Sequence, residues 1–263
     1  MSRRDQYLEV LGIDQWRTRT PVPVAPVPVA PVTQSRAAVR PVAAPAPIPA
    51  PVPAALHQPA AARTRDAADP ALWQALREEV SVCTRCELAR GRTQTVFGTG
   101  DTRAELLVIG EAPGADEDVQ GEPFVGRAGQ LLNSMLRAMG HPRESVYIAN
   151  VLKCRPPGNR DPRPEESASC RPFLQRQMDL LRPRLILAVG RIASQNLLEN
   201  DTPIGRLRGQ VHRFGSGAVP LIVTYHPAYL LRSPGEKRKA WIDLKFARQE
   251  LARQRQEPLA ALS

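Results

Sequence analysis

The chain has 263 residues, 27 of them Pro and only 5% aromatic, with 36 Lys+Arg against 26 Asp+Glu for a formal net charge of +10. No apolar run approaches the ~20 residues that cross a bilayer, and MSRRDQYLEV has basic residues with no apolar segment behind them. Membrane-spanning and secreted readings are therefore set aside, and a cytoplasmic location is expected.

Residues 1–20 contain DQYLEVLGIDQW, where Tyr7, Leu8 and Leu11 can share a helical face that Gly12 ends. So short a helix is marginal alone, leaving two readings: a disordered tail or a tethered docking peptide. Twelve prolines fall between Pro21 and Pro59. The 21–68 segment therefore reads as an extended Pro/Ala/Val spacer without a core. Residues 1–69 hold eight Arg and five acidic residues, which leaves +7 on the rest. That excess suits a polyanionic partner.

The folded domain is expected over 69–255, with 256–263 as a tail. It opens on a helix capped by Asp69 with Pro70 in its first turn. Apolar runs then alternate with helical patterns. Strands are expected at 105–110, 146–151, 185–189 and 220–224, and helices at 129–139, 164–181, 192–198 and 237–253. Short, nearly all-apolar strands separated by helices imply a three-layer α/β/α fold around a central, mostly parallel four-stranded sheet. A site is expected at the carboxyl ends of the strands.

Four cysteines, Cys83, Cys86, Cys154 and Cys170, lie in this domain. A Cys-x-x-Cys pair with two distant single cysteines points to a four-thiolate site rather than to disulfides. Spacing leaves zinc and a [4Fe–4S] cluster both open. After the first strand comes Gly110-Glu111-Ala112-Pro113-Gly114-Ala115-Asp116-Glu117-Asp118, continuing through Phe124 to Gly129. It matches neither a Walker loop nor a dinucleotide fingerprint, and its carboxylates would repel phosphate. The alternatives are a solvated acidic turn and a shaped pocket. The last strand exits into His226-Pro227-Ala228-Tyr229-Leu230-Leu231-Arg232, which puts a histidine at the same sheet edge.

GEAPGADED, PFVGRAGQLL, the four cysteines and HPAYLLR together resemble the iron–sulfur uracil-DNA glycosylases, usually called family 4. The resemblance runs from about Val82 to Leu251. It implies the uracil-DNA glycosylase fold, a structural [4Fe–4S] cluster on the four cysteines with zinc as the less favoured occupant, and excision of uracil by base flipping. Phe124 matches the stacking position and Asn150 the residue that reads uracil, since one amide can serve both a carbonyl acceptor and an N–H donor. Ala112 falls in the uracil-binding motif, and Glu117 matches the residue that excludes the thymine methyl. His226 would donate to the developing anion. Related families carry an Asp where this chain has Ala112, so activating the water falls to Glu111 or to the backbone; Glu111 is taken as catalytic. Leu230 and Leu231 would form the apolar wedge filling the vacated stack. Arg232, with Arg155 or Lys153, would hold phosphates.

A related class traps the abasic sugar on a histidine near the third cysteine, but CRPPGNRDPRPEE contains none. Ordinary turnover by a monofunctional, monomeric enzyme is expected, acting on uracil-containing DNA at the nucleoid, with a replication or repair protein as partner for residues 1–20. The competing reading is a non-catalytic four-Cys nucleic-acid-binding module; a decayed enzyme should have lost one of Glu117, Phe124, Asn150 or His226. A redox iron–sulfur protein is the weakest alternative, because no second redox centre is present.

Overall fold

The computed structural model describes residues 69–215 and 218–256. The expected docking element 1–20, the spacer 21–68 and residues 257–263 of the expected tail lie outside the described residues.

Helix α1, Pro70–Ser81, starts as its sequence dictates: Asp69 Oδ1 accepts from Ala71 N at 2.9 Å and Pro70 occupies the first turn. It buries Trp73, Leu76 and Val80, and the Trp73 ring meets Tyr147 at 5.0 Å and Phe97 edge-on at 6.0 Å.

The sheet has six strands: β1 Thr99–Gly100, β2 Leu106–Gly110, β3 Tyr147–Asn150, β4 Leu185–Val189, β5 His212–Phe214 and β6 Val219–Thr224, in the order β1-β3-β2-β4-β6-β5. The four apolar runs form its parallel middle. The expected four-stranded sheet is thus extended by two antiparallel edges, β1 on β3 and β5 on β6. Those edges are two and three residues long and not fully buried, so they carry no period that a sequence pattern could show.

Side chains alternate across the sheet. Leu107 and Ile109 join one core with Trp73, Phe173 and Ala193; Leu106 and Val108 join the other with Leu132, Leu136 and Leu244. The first face is covered by α1, α4 (Pro164–Leu181) and α5 (Arg191–Leu198), the second by α3 (Arg127–Met139) and α8 (Lys237–Gln256). Burial on both faces at roughly 1.5–3 kcal/mol per large aliphatic side chain explains why the strands are apolar at nearly every position.

Three short helices were not expected: α2 Ala115–Gln120, α6 Ile204–Leu207 and α7 Pro227–Arg232. Helix α3 begins two residues before the expected Gly129. Asp243, in the otherwise apolar WIDL run of α8, is 1% exposed; it accepts from Arg208 at 2.7 and 2.9 Å and from Thr224 Oγ1 at 2.8 Å. This network fastens α8 beneath the end of β6. The carboxyl ends of β2, β3, β4 and β6 then lead to Glu111, Asn150, Gly190 and His226 at one edge of the sheet.

Candidate active site

The floor of the site is Gly110, the last residue of β2. A Cβ built there would lie 2.4 Å from Asn150 Oδ1 and 2.6 Å from Phe124 Cζ, so only glycine lets these two side chains approach. Asn150 ends β3 and is 2% exposed, and its Oδ1 is buried without a hydrogen-bond partner. A buried amide oxygen left unpaired costs roughly 1–3 kcal/mol, which a ligand donor recovers. Phe124 packs at 6% exposure, its ring centroid 5.6 Å from that of His226 and tilted by 32°.

Phe124 adopts φ +55°, which is uncommon for a bulky side chain. Two features hold it there. Gly129 leaves room for the Phe124 carbonyl, which a Cβ would strike at 1.7 Å. Arg143 donates to Phe124 O at 3.3 Å, Pro123 O at 2.6 Å and Asn133 Oδ1 at 3.2 Å. Nothing in the sequence pattern pointed to Arg143, because it approaches from 19 residues away. Asp118 was likewise missed: it is 3% exposed and accepts the Thr93 amide with both oxygens, pinning α2.

His226 caps α7, its Nδ1 accepting from Ala228 N at 3.2 Å. With Nδ1 used as an acceptor, the neutral ring carries its proton on Nε2, a single directed donor. Burial, reinforced by Arg232, pulls its pKa down to about 4, so the ring is neutral near pH 7. Gly190 allows the close approach, since a Cβ there would lie 2.9 Å from His226 Cβ.

Glu111 follows Gly110. Its carboxyl pKa is pushed up to about 7, first by burial and then by the charge of Asp161, with Arg191 opposing. Arg191 and Asp161 pair at 2.6 Å. A carboxyl poised there can take a proton from water near neutral pH. Ala112 packs partly buried against the core. Glu117 is half-buried and turns its Oε2 back to accept from Gly114 N at 3.1 Å, so it also braces the loop.

The two leucines part company. Leu231 is 36% exposed, whereas Leu230 is 1% exposed within the α3/α8 core, so of the expected pair Leu230 is corrected to a core residue and Leu231 alone faces outward. Consecutive helix positions point about 100° apart, enough for the core to claim one leucine and leave the next at the surface. Arg232 is exposed beside Leu231, and Arg155 is half-buried with Nε on Asn159 Oδ1. Lys153 is corrected too: at 1% exposure it cannot reach a phosphate.

All four cysteines line one small pocket together with Arg92 and Lys153. None is in a disulfide. Arg92 donates to Cys154 Sγ at 3.2 Å and the Lys153 amide to Cys170 Sγ at 3.3 Å. Burial raises the thiol pKa of both Cys154 and Cys170. Among the described residues no three His, Cys, Asp or Glu side chains stand as a set for one ion. Four cysteines lining one pocket, with donors on two of the sulfurs, fit as holders of a thiolate-bound group.

Residues 97–245 match the family model of the uracil DNA glycosylase superfamily. The chain is 47% identical over 174 residues to the type-4 uracil-DNA glycosylase of Archaeoglobus fulgidus, covering 64% of this chain and 87% of that one. It is 44% identical over 163 residues to the type-4 enzyme of Thermotoga maritima, covering 62% and 84%. The chain belongs to the type-4 uracil-DNA glycosylases. For this member of the family, the structure brings Phe124, Asn150 and His226 to one edge of the sheet and gathers the four cysteines on the face that α1 covers. Among the described residues no helix is long and apolar enough to cross a membrane.

Proposed function

We propose that the chain excises uracil from DNA as a monofunctional glycosylase in base excision repair, leaving an abasic site. The observation that carries this reading is the buried, unpartnered Asn150 Oδ1 beside Phe124, with the His226 ring 5.6 Å from the Phe124 ring. A flipped uracil stacks on Phe124. The Asn150 amide accepts from the uracil N–H and donates to its neighbouring carbonyl, a pattern cytosine cannot match. Glu117, bracing the loop at Gly114, walls the side where thymine carries a methyl.

As the glycosidic C–N bond breaks, its electron pair moves onto the base. His226, neutral at pH 7, donates through Nε2 to the carbonyl oxygen that takes up the charge. Water adds to the sugar cation and Glu111 removes its proton. With Glu111 near 7, the catalytic carboxylate grows in as pH rises through neutrality. Leu231 fills the vacated stack and Arg232 contacts phosphate.

Cys83, Cys86, Cys154 and Cys170 would hold a [4Fe–4S] cluster, as the family resemblance implies: the four thiols line one pocket, and among the described residues no three ligating side chains stand as a set for a single ion. When bound, it supplies a covalent staple between the segment after α1, the segment after β3 and α4. Residues 1–20, on their Pro-rich spacer, would dock a replication or repair protein, and removing residues 1–60 should leave excision on naked DNA intact.

The test is a uracil-containing oligonucleotide incubated with purified protein, then treated with alkali. Strand breaks that appear only after alkali and fall about 100-fold or more for His226→Ala support the reading. An iron-loaded protein that leaves uracil in place would refute it.

A further inference from the structure

Lys153 is the single Lys or Arg that is buried among the described residues. Its Nζ donates to Asn150 O at 2.9 Å and to Gln177 Oε1 at 2.6 Å, both neutral acceptors. Gln177 is itself fixed, donating to Phe97 O at 2.8 Å and reaching Tyr147 Oη at 3.4 Å. The backbone amide of the same lysine donates to Cys170 Sγ, and the lysine lines the small pocket that the four cysteines share.

A buried ammonium with no carboxylate partner is costly, on the order of several kcal/mol. The lysine's own amide touches Cys170 Sγ, and the pocket it lines holds four cysteines and no Asp or Glu. Four thiolates around a cluster would provide the missing negative charge. One residue therefore touches a cysteine ligand through its backbone and the strand end bearing the uracil-reading amide through its side chain. No other residue described here bonds to both.

We propose that Lys153 is a positioning residue that couples the occupied four-cysteine site to Asn150, so that the cluster helps hold the uracil reader in place. This rests on the cluster and uracil reading above. Linkage makes the coupling reciprocal: uracil bound at Asn150 must perturb the cluster's surroundings. Neither the His226 chemistry nor the Glu111 carboxylate is involved, so the effect belongs to binding.

The experiment uses iron-loaded full-length protein, with free uracil as the probe. Calorimetry gives its Kd, and circular dichroism in the visible iron–sulfur bands gives the cluster's response. In the wild type, uracil should change that spectrum, whereas Asn150→Ala should show no change. Lys153→Met, close in volume, should keep its iron, weaken uracil binding and raise KM about 10-fold each, worth about 1.4 kcal/mol. It should leave kcat within about threefold and lose the spectral response even at saturating uracil.

Two outcomes overturn the coupling while leaving the glycosylase reading intact: uracil binds the wild type with no spectral change, or Lys153→Met binds and responds like the wild type. Should Lys153→Met fail to fold, the wild-type titration against Asn150→Ala decides alone. A wild-type protein without iron, or without excision, instead overturns the reading beneath it.

Discussion

At the strand-end pocket, Asn150 Oδ1 is buried with no partner and His226 commits only Nδ1 to the backbone. At the cysteine site the donors are already in use, with Arg92 on Cys154 and the Lys153 amide on Cys170. Unsatisfied polar atoms suit a ligand that arrives and leaves, because each visit recovers their desolvation cost. Sulfurs already provided with donors suit a group that stays and contributes to folding. Lesions in the two regions should therefore differ in kind: the cysteine site should lose stability, and the pocket should lose activity.

The largest effect is expected for Cys170→Ser. A structural thiolate site is worth about 10 kcal/mol, comparable with the whole stability of a domain. Loss of iron and of the cooperative melt, followed by circular dichroism, is the expected result. A well-folded, iron-free variant with unchanged Tm would break the distinction between the regions.

Gly110→Ala is the matching lesion in the pocket. Its new Cβ would crowd Asn150 Oδ1 and Phe124 Cζ, whose distances of 2.4 and 2.6 Å force one of them to move. Excision should fall at least about 100-fold, as misplacement by an ångström commonly produces, with iron content kept. Single-turnover assays on uracil-containing DNA measure this directly.

Glu111→Gln sharpens the contrast through pH. The folded carboxyl titrates at about 7 against 4.5 unfolded, so the folded state holds that proton more tightly. Stability from this group is present below about 4.5 and is lost as pH rises toward 7. The Gln variant escapes that loss. Its Tm should exceed the wild type's at pH 8 by roughly 2–4 °C per kcal/mol recovered, with a smaller gain at pH 4. Excision should fall about 100-fold. In the wild type, the rate should rise with pH through neutrality; a flat profile from pH 5 to 8 would remove Glu111 from the mechanism.

The smallest pair separates the adjacent leucines. Leu230→Ala, in the core, should cost about 2–5 kcal/mol in denaturant melts. Leu231→Ala, at the surface, should change stability by less than about 0.5 kcal/mol. It should still lower excision from duplex DNA several-fold, and much less from single strands. Equal activity losses on both substrates would argue against the wedge.

Much of the architecture was legible because parallel strands buried on both faces must be apolar throughout, and four such runs stand out between helical patterns. Edge strands β1 and β5 were not, since two or three half-buried residues carry no signal. Helix α7 was hidden for a related reason: Pro227 reads as a break, although it occupies the first turn where its missing N–H costs nothing. Phe124, Asn150, His226 and the cysteines could be named from motifs. Arg143 and Asp118 could not, because their partners lie 19 to 25 residues away and no spacing rule joins them.

The sequence offered the residues that could carry chemistry, the cysteines, the acidic loop and His226 by pattern and Phe124 and Asn150 through the family resemblance, because amide, imidazole, carboxyl and thiol groups have fixed capacities for donating, accepting and ligating wherever they sit. Tertiary structure alone decided their states. Burial left Asn150 Oδ1 without a partner, made His226 neutral and lifted Glu111. It also sent Leu230 inward and Leu231 outward, and turned Lys153 from a candidate phosphate ligand into an internal link. Protonation, exposure and pairing depend on desolvation and on neighbours brought together across the fold, which one-dimensional spacing does not encode.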